Sequence, residues 1–342
     1  MQATLSQNGQ EESTDEKSGA MDVLFGPMLR QYLSAELPQF RDLGVKTARE
    51  AANEQLGLLP AQRVEIWQGE MLLGTLPRQH FLFPALLHLL KASDHFNTPI
   101  NIALVGPTGT GKTRMCINAA EALNVELVLQ PFNPHTTKSE LMGYMDANGR
   151  YVESPFYKAF KEGKLYIADE FDAANPAVAT TLNAAISNRM VTFPNGETVA
   201  AHPNFRAIFV MNTYGMGADD RYTGRSRLDM ATLDRFVYLY VPIDEGFEAA
   251  LVGIPDKQSP SFELGDGGRF ESEREILHLV VSVRGALEKE NMRYSVSPRA
   301  TIHGAALHRA GFGKRWIEDC CIFRGMPKES RDKIMRQVAS RN

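Results

Sequence analysis

The sequence predicts an α/β core built on a five-stranded parallel sheet, with helices on both faces and a helical lid after it. Three observations carry that prediction. Five short, continuous apolar runs recur between residues 100 and 241, with helix-patterned stretches between most of them. Uninterrupted apolar strands mean a sheet buried on both sides, which is a parallel sheet under helices. A glycine-rich turn follows the first run and leads directly into helix-forming sequence, and beyond residue 268 only helical patterning remains.

In chain order, residues 1–20 form an acidic leader with one leucine and no aromatics, a composition predicted to be disordered. An N-terminal extension over 21–95 follows. It comprises an amphipathic helix at 26–37 with Pro27 in its first turn, a hairpin at 63–77 and a helix at 83–93. The α/β core is predicted over 96–252, with strands at 100–105, 125–130, 164–169, 205–212 and 236–241. Asn-Gly signals in "MDANGRY" (145–151) and "NGETVAAHP" (195–203) predict two small inserted hairpins. A Gly/Pro/Ser-rich linker at 253–268 separates the core from a lid and C-terminal helices over 269–342, with helical patterns at 271–290, 297–311 and 327–338.

The composition is that of an ordinary globular protein, at 43% hydrophobic and 23% charged residues. A net charge of -4 argues against a generalised grip on nucleic acid. Residues 313–342 hold eight Lys/Arg against four Asp/Glu, and a solvated helical face is the favoured reading of that local excess. Three cysteines with no CxxC spacing, and scattered histidines, give neither a disulfide framework nor a structural metal site. With no signal pattern and no apolar run of membrane length, a cytoplasmic protein is expected.

Gly106 to Thr113, "GPTGTGKT", satisfies G-x-x-x-x-G-K-[ST] in the required context, with a strand before it and a helix after it. The segment Gly106, Pro107, Thr108, Gly109, Thr110, Gly111, Lys112 and Thr113 therefore reads as a phosphate cradle. Glycines let backbone N–H groups curl around anionic oxygens, and the positive end of the following helix points at them. Lys112 has the reach for the β- and γ-phosphates, and the Thr113 hydroxyl is a Mg²⁺ ligand. In "KLYIADEFD", Asp169 ends a buried strand, where a carboxylate is costly unless it holds an ion, directly or through water. Glu170 follows, placed to polarise a water against the γ-phosphate.

Other positions keep two readings. Asn212 ends an apolar strand, either to hold the attacking water beside Glu170 or as a turn former. Arg235 precedes a buried strand, as a snorkelling cap or as a finger reaching a neighbour's nucleotide. Arg299 projects from the first turn of a helix begun by Pro298, a place the helix dipole disfavours unless an anion lies near. In "RMVTFPNGETVAAHP", Phe193 sits beside an Asn-Gly turn, either exposed near a hairpin tip or folded back on the core.

Taken in order, "GPTGTGKT", "YIADEFD", "VMNT", "LDRF" and "SPRA" resemble the Walker A, Walker B, sensor 1, arginine-finger and sensor 2 elements of AAA+ ATPases. The stretch 202–236 looks like the MoxR group of the helix-2-insert clade, and most like its CobS branch. The resemblance covers about residues 80–305. It implies a P-loop NTPase fold, ATP and Mg²⁺ as cofactors, and a homo-oligomeric ring, usually a hexamer, with ATP at each interface. Lys112, Thr113, Asp169, Glu170, Asn212, Arg235 and Arg299 take the family roles at matching positions, although Arg225 and Arg227 crowd the finger segment and leave that assignment open among three arginines. The two hairpins resemble the insertions this group directs towards its pore or partner.

The function implied is an ATP-driven motor that remodels a protein complex, with a partner that commonly carries a von Willebrand factor A domain. The alternatives are the ATPase subunit of a cobalt chelatase, a nucleic-acid-linked motor of a restriction or defence system, and an ATP-held scaffold.

Overall fold

The computed structural model describes residues 63–68, 71–219, 221–254 and 268–340. The leader, the helix expected at 26–37 and most of the expected linker lie outside them. The chain divides into two units between Val64 and Glu65. Strands β1 (Arg63–Gln68) and β2 (Met71–Pro77) form a two-stranded sheet.

In the second unit, helix α1 (Phe83–Lys91) carries Pro84 in its first turn and buries Phe83, Ala85, Leu86 and Leu90. Five strands then form one parallel sheet: β3 (Asn101–Val105), β4 (Leu127–Pro131), β7 (Leu165–Asp169), β10 (Arg206–Met211) and β11 (Phe236–Tyr240). Their spatial order is β11-β3-β10-β7-β4, with Ile208 facing Ile102 on one side and Ile167 on the other. The three central strands are buried almost throughout, as their unbroken apolar runs require, whereas the edge strands β4 and β11 show exposed positions.

Helices α2 (Lys112–Leu123), α3 (Lys138–Met142), α4 (Pro155–Glu162) and α5 (Pro176–Asn188) connect these strands. Local chemistry fixes their ends. The Ser154 hydroxyl accepts from Tyr157 N, the Asn175 amide oxygen accepts from Ala177 N, and Pro155 and Pro176 fill first-turn positions where no N–H is needed.

Two antiparallel hairpins interrupt the core: β5 (Tyr144–Met145) with β6 (Tyr151–Val152), and β8 (Met190–Thr192) with β9 (Thr198–Ala200). The second corrects one expectation. Phe193 is not at an exposed tip; it is 2% exposed and packs edge-to-face on Tyr157 at 4.7 Å, beside Phe156 and Phe160. The hairpin is tied down because Glu197 accepts from the Tyr157 hydroxyl at 2.9 Å and from Lys161 Nζ at 2.9 Å. The apolar side chain it leaves in solvent is Met190, 52% exposed.

Short helices α6 (Met230–Leu233) and α7 (Glu245–Leu251) flank β11. The lid is α8 (Glu273–Lys289), α9 (Pro298–Arg309), α10 (Lys314–Ile317), a π-turn at Glu318–Ile322 and α11 (Lys328–Ala339). It has its own apolar cluster, with Ile276, Val280, Val283, Ile317 and Ile334 at its centre. A buried ion pair joins lid to core: both Glu248 carboxylate oxygens on α7 accept from Arg284 on α8 at 3.2 Å, and the Thr301 hydroxyl on α9 donates to the same carboxylate. Among the described residues no helix is long and apolar enough to cross a membrane.

Candidate active site

The loop between β3 and α2 is shaped by glycines that the geometry requires. Gly109 and Gly111 have φ of 82° and 88°, in the left-handed region that side chains disfavour. A Cβ on Gly106 would come within 2.2 Å of the Val241 carbonyl oxygen, so only glycine fits where the loop passes the end of β11.

This loop forms one wall of a cleft of about 410 Å³. The ends of β7 and β10, helix α7 and the first turn of α9 supply the others. Of the residues singled out in the sequence, Thr108, Gly109, Thr110, Gly111, Lys112, Thr113, Asp169, Glu170, Asn212 and Arg299 line it. Gly106 and Pro107 do not; their carbonyl oxygens accept from Lys112 Nζ at 2.7 and 2.9 Å.

The third partner of Lys112 is the Asn212 side-chain oxygen, at 3.0 Å. Burial lowers the Lys112 ammonium to about 8; Asp172 and Asp169 oppose the shift, while Arg225 and Arg299 add to it. The Thr113 hydroxyl lies 3.1 and 3.0 Å from the two Asp169 oxygens and donates to that carboxylate. A hydroxyl and a carboxylate side by side are hard oxygen donors, the set that suits Mg²⁺ held partly by phosphate and water. Arg299 Nη1 donates to the Thr108 hydroxyl at 3.1 Å, which brings the lid onto the loop.

Glu170 has φ of 54°, so the chain turns sharply after Asp169, and its side chain is 58% exposed on the cleft wall. Arg235 is not in the cleft: its guanidinium donates to the Ser187 hydroxyl at the end of α5 and to the Ala231 carbonyl. Arg227 is exposed and forms a backbone bridge to Met216. Arg225 behaves differently. Its side chain is only 12% exposed, and it pairs with Glu170 at 3.3 Å and Asp172 at 3.5 Å within its own chain.

Asp172 was not singled out in the sequence. It is fully buried on the turn Phe171–Ala173, and one carboxylate oxygen accepts from Asn212 N, Thr213 N and the Thr213 hydroxyl at 3.1, 2.9 and 2.9 Å. The second aspartate of "DEFD" was its only sequence signal. Tyr222 was also missed; its hydroxyl accepts from the Thr108 backbone N–H at 3.0 Å. Cys116 is buried on α2, and that burial pushes its thiol pKa up, away from the thiolate form.

An uncharacterised protein of Staphylococcus aureus strain USA300 is 29% identical over 161 residues, covering 44% of this chain and 59% of that protein. The counterpart from the bovine strain RF122 gives the same figures. The chain thus spans about 59% of the length of the curated relatives it matches. Among solved structures, NtrX from Brucella abortus is 15% identical with a TM-score of 0.44, covering 76% of this chain and 59% of that one. RuvB of Thermotoga maritima is 13% identical with a TM-score of 0.40, covering 76% and 68%. Residues 101–236, from the first strand of the sheet to the last, match the AAA domain of the dynein-related subfamily, and the chain has the AAA+ P-loop NTPase fold.

Proposed function

We propose that the chain hydrolyses ATP to ADP and phosphate and uses the energy, as a ring motor of MoxR/CobS type, to remodel a partner protein or complex. The observation that carries the ATPase reading is the convergence on one cleft of Lys112, bonded to Asn212, and Thr113, bonded to Asp169, with Glu170 on the wall. Lys112, with the loop N–H groups, binds the phosphates. Thr113 and Asp169 hold Mg²⁺, directly or through water; the ion, when bound, offsets the charge that builds on the phosphate oxygens. Glu170 orients a water for in-line attack at the γ-phosphorus and takes its proton as the bond to the bridging oxygen breaks. Asn212 steadies that water, and Arg299 draws the lid onto the phosphates. Arg235, half-buried and outside the lining of its own cleft, suits a finger reaching the site of a neighbouring subunit.

The partner is read as a protein, with a von Willebrand factor A domain the leading candidate. The cobalt-chelatase subunit remains the narrower alternative. A nucleic-acid motor is the other alternative, resting on the basic C-terminal segment, where Arg331 is paired with Glu318 and Asp319, and Lys333 with Glu290.

The test separates binding from chemistry. Lys112→Ala is expected to abolish ATP binding in an equilibrium titration. Glu170→Gln is expected to bind ATP yet lose about a hundredfold or more in phosphate release, the usual worth of a positioned base. Near-normal turnover by Glu170→Gln overturns the assignment of the base.

A further inference from the structure

The segment from Tyr222 to Ser226 touches both ends of the chemistry described above. Asp219 sets it up: its carboxylate accepts from Arg221 N at 2.8 Å and Tyr222 N at 2.6 Å, a local turn that aims the tyrosine. The Tyr222 hydroxyl then takes the Thr108 N–H, one of the loop amides. Three residues on, Arg225 holds the Glu170 and Asp172 carboxylates, and Ser226 N donates to the Asp172 carbonyl at 2.9 Å. One short stretch of chain thereby occupies a loop amide with one side chain and the Glu170 carboxylate with another.

An amide that donates to a phenol oxygen has no second proton for a phosphate oxygen. Tyr222 and a phosphate arriving at Thr108 therefore compete for the same N–H. The short spacing between the two contacts makes them parts of one lever. We propose that Tyr222 and Arg225 form a switch within each chain, in which phosphate arriving at Thr108 displaces Tyr222 and so loosens the hold of Arg225 on Glu170. The inference rests on the reading of the cleft as an ATP-hydrolysing site and adds its regulation. Arg225 is then a positioning residue for Glu170 of its own subunit, and its burial and pairing set it apart from a finger that acts on a neighbour.

Apparent affinity is reduced by the fraction of molecules in which the binding group is already engaged. Removing the Tyr222 hydroxyl is therefore expected to tighten a non-hydrolysable ATP analogue by about three- to tenfold, the span of one ordinary hydrogen bond. The experiment is a double-mutant cycle on the full chain, read by equilibrium titration of that analogue. It uses wild type, Tyr222→Phe, Glu170→Gln and the double variant.

On one lever, Glu170→Gln already deprives Arg225 of its exposed anion, so Tyr222→Phe in that background should change affinity by less than about twofold. An Arg225→Lys background, unable to span both carboxylates, should blunt the tyrosine effect likewise, and thermal melts identify any variant that misfolds. Unchanged or weaker binding by Tyr222→Phe overturns the proposal. So does an equal tyrosine factor in every background, which would mean independent contacts. Failure of the underlying reading looks different: wild type and Lys112→Ala would then bind the analogue equally poorly.

Discussion

His80 has both ring nitrogens committed. Nε2 lies 3.0 Å from the Pro242 carbonyl and donates to it, while Nδ1 accepts from Leu82 N at 3.1 Å, so the neutral ring with its proton on Nε2 fits the site. Burial pushes its pKa below the usual 6.5, against the pull of Asp244 and the Pro242 carbonyl. As pH falls through 6.5 the unfolded chain takes up a proton before the folded one does, so stability is lost in that direction. Urea unfolding at about pH 7.5 and about pH 5.5 should show a smaller acid loss for His80→Gln than for wild type; an equal loss would remove His80 from the account. What a sequence discloses at this scale depends on whether a residue's partners are local. The loop from Gly106 to Thr113 was legible because its chemistry is written in eight consecutive residues. Asp172 and Tyr222 were not, because their partners lie 40 and 114 positions away along the chain.

The hairpin β8–β9 shows the same limit for elements. Its Asn-Gly turn was readable, since that dipeptide supplies the backbone angles the turn needs. The face on which Phe193 lies was not, because a three-residue strand has too little alternation to assign a buried side. Buried as it is, Phe193→Ala should cost about 3–5 kcal/mol of stability, the range for deleting a core phenylalanine. Met190→Ser, at an exposed position of the same hairpin, should stay within about 0.5 kcal/mol. Denaturant midpoints decide between them; a silent Phe193→Ala would mean that the hairpin does not pack as described. The three central strands were legible because a strand buried on both faces is apolar at every position, and the edge strands β4 and β11 because they carry short apolar runs although some of their positions are exposed. The four-residue α10 and the π-turn after it carry no period long enough to read.

At the scale of the whole molecule, a finger that acts between subunits leaves no mark inside one chain except its distance from the chain's own cleft. Arg235→Ala should leave nucleotide binding in each subunit largely intact and reduce turnover by about a thousandfold or more. Mixing it with the equally inactive Lys112→Ala tests the arrangement: activity should reappear, because the intact cleft of an Arg235→Ala chain meets the intact finger of a Lys112→Ala neighbour. No recovery on mixing would exclude a site shared between subunits.

The strand order β11-β3-β10-β7-β4 also bears on how the chain is made. β3 is the first strand of the sheet to leave the ribosome, yet both of its neighbours, β10 and β11, are the last. Only β4 and β7 can pair early. At typical elongation rates, β3 waits roughly 5–20 s, about a hundred residues of synthesis, with an apolar edge unmatched on either side. A nascent chain stalled before residue 206 should therefore be bound by a holdase chaperone and cut by protease around residues 101–105, and one extended past residue 240 should resist both.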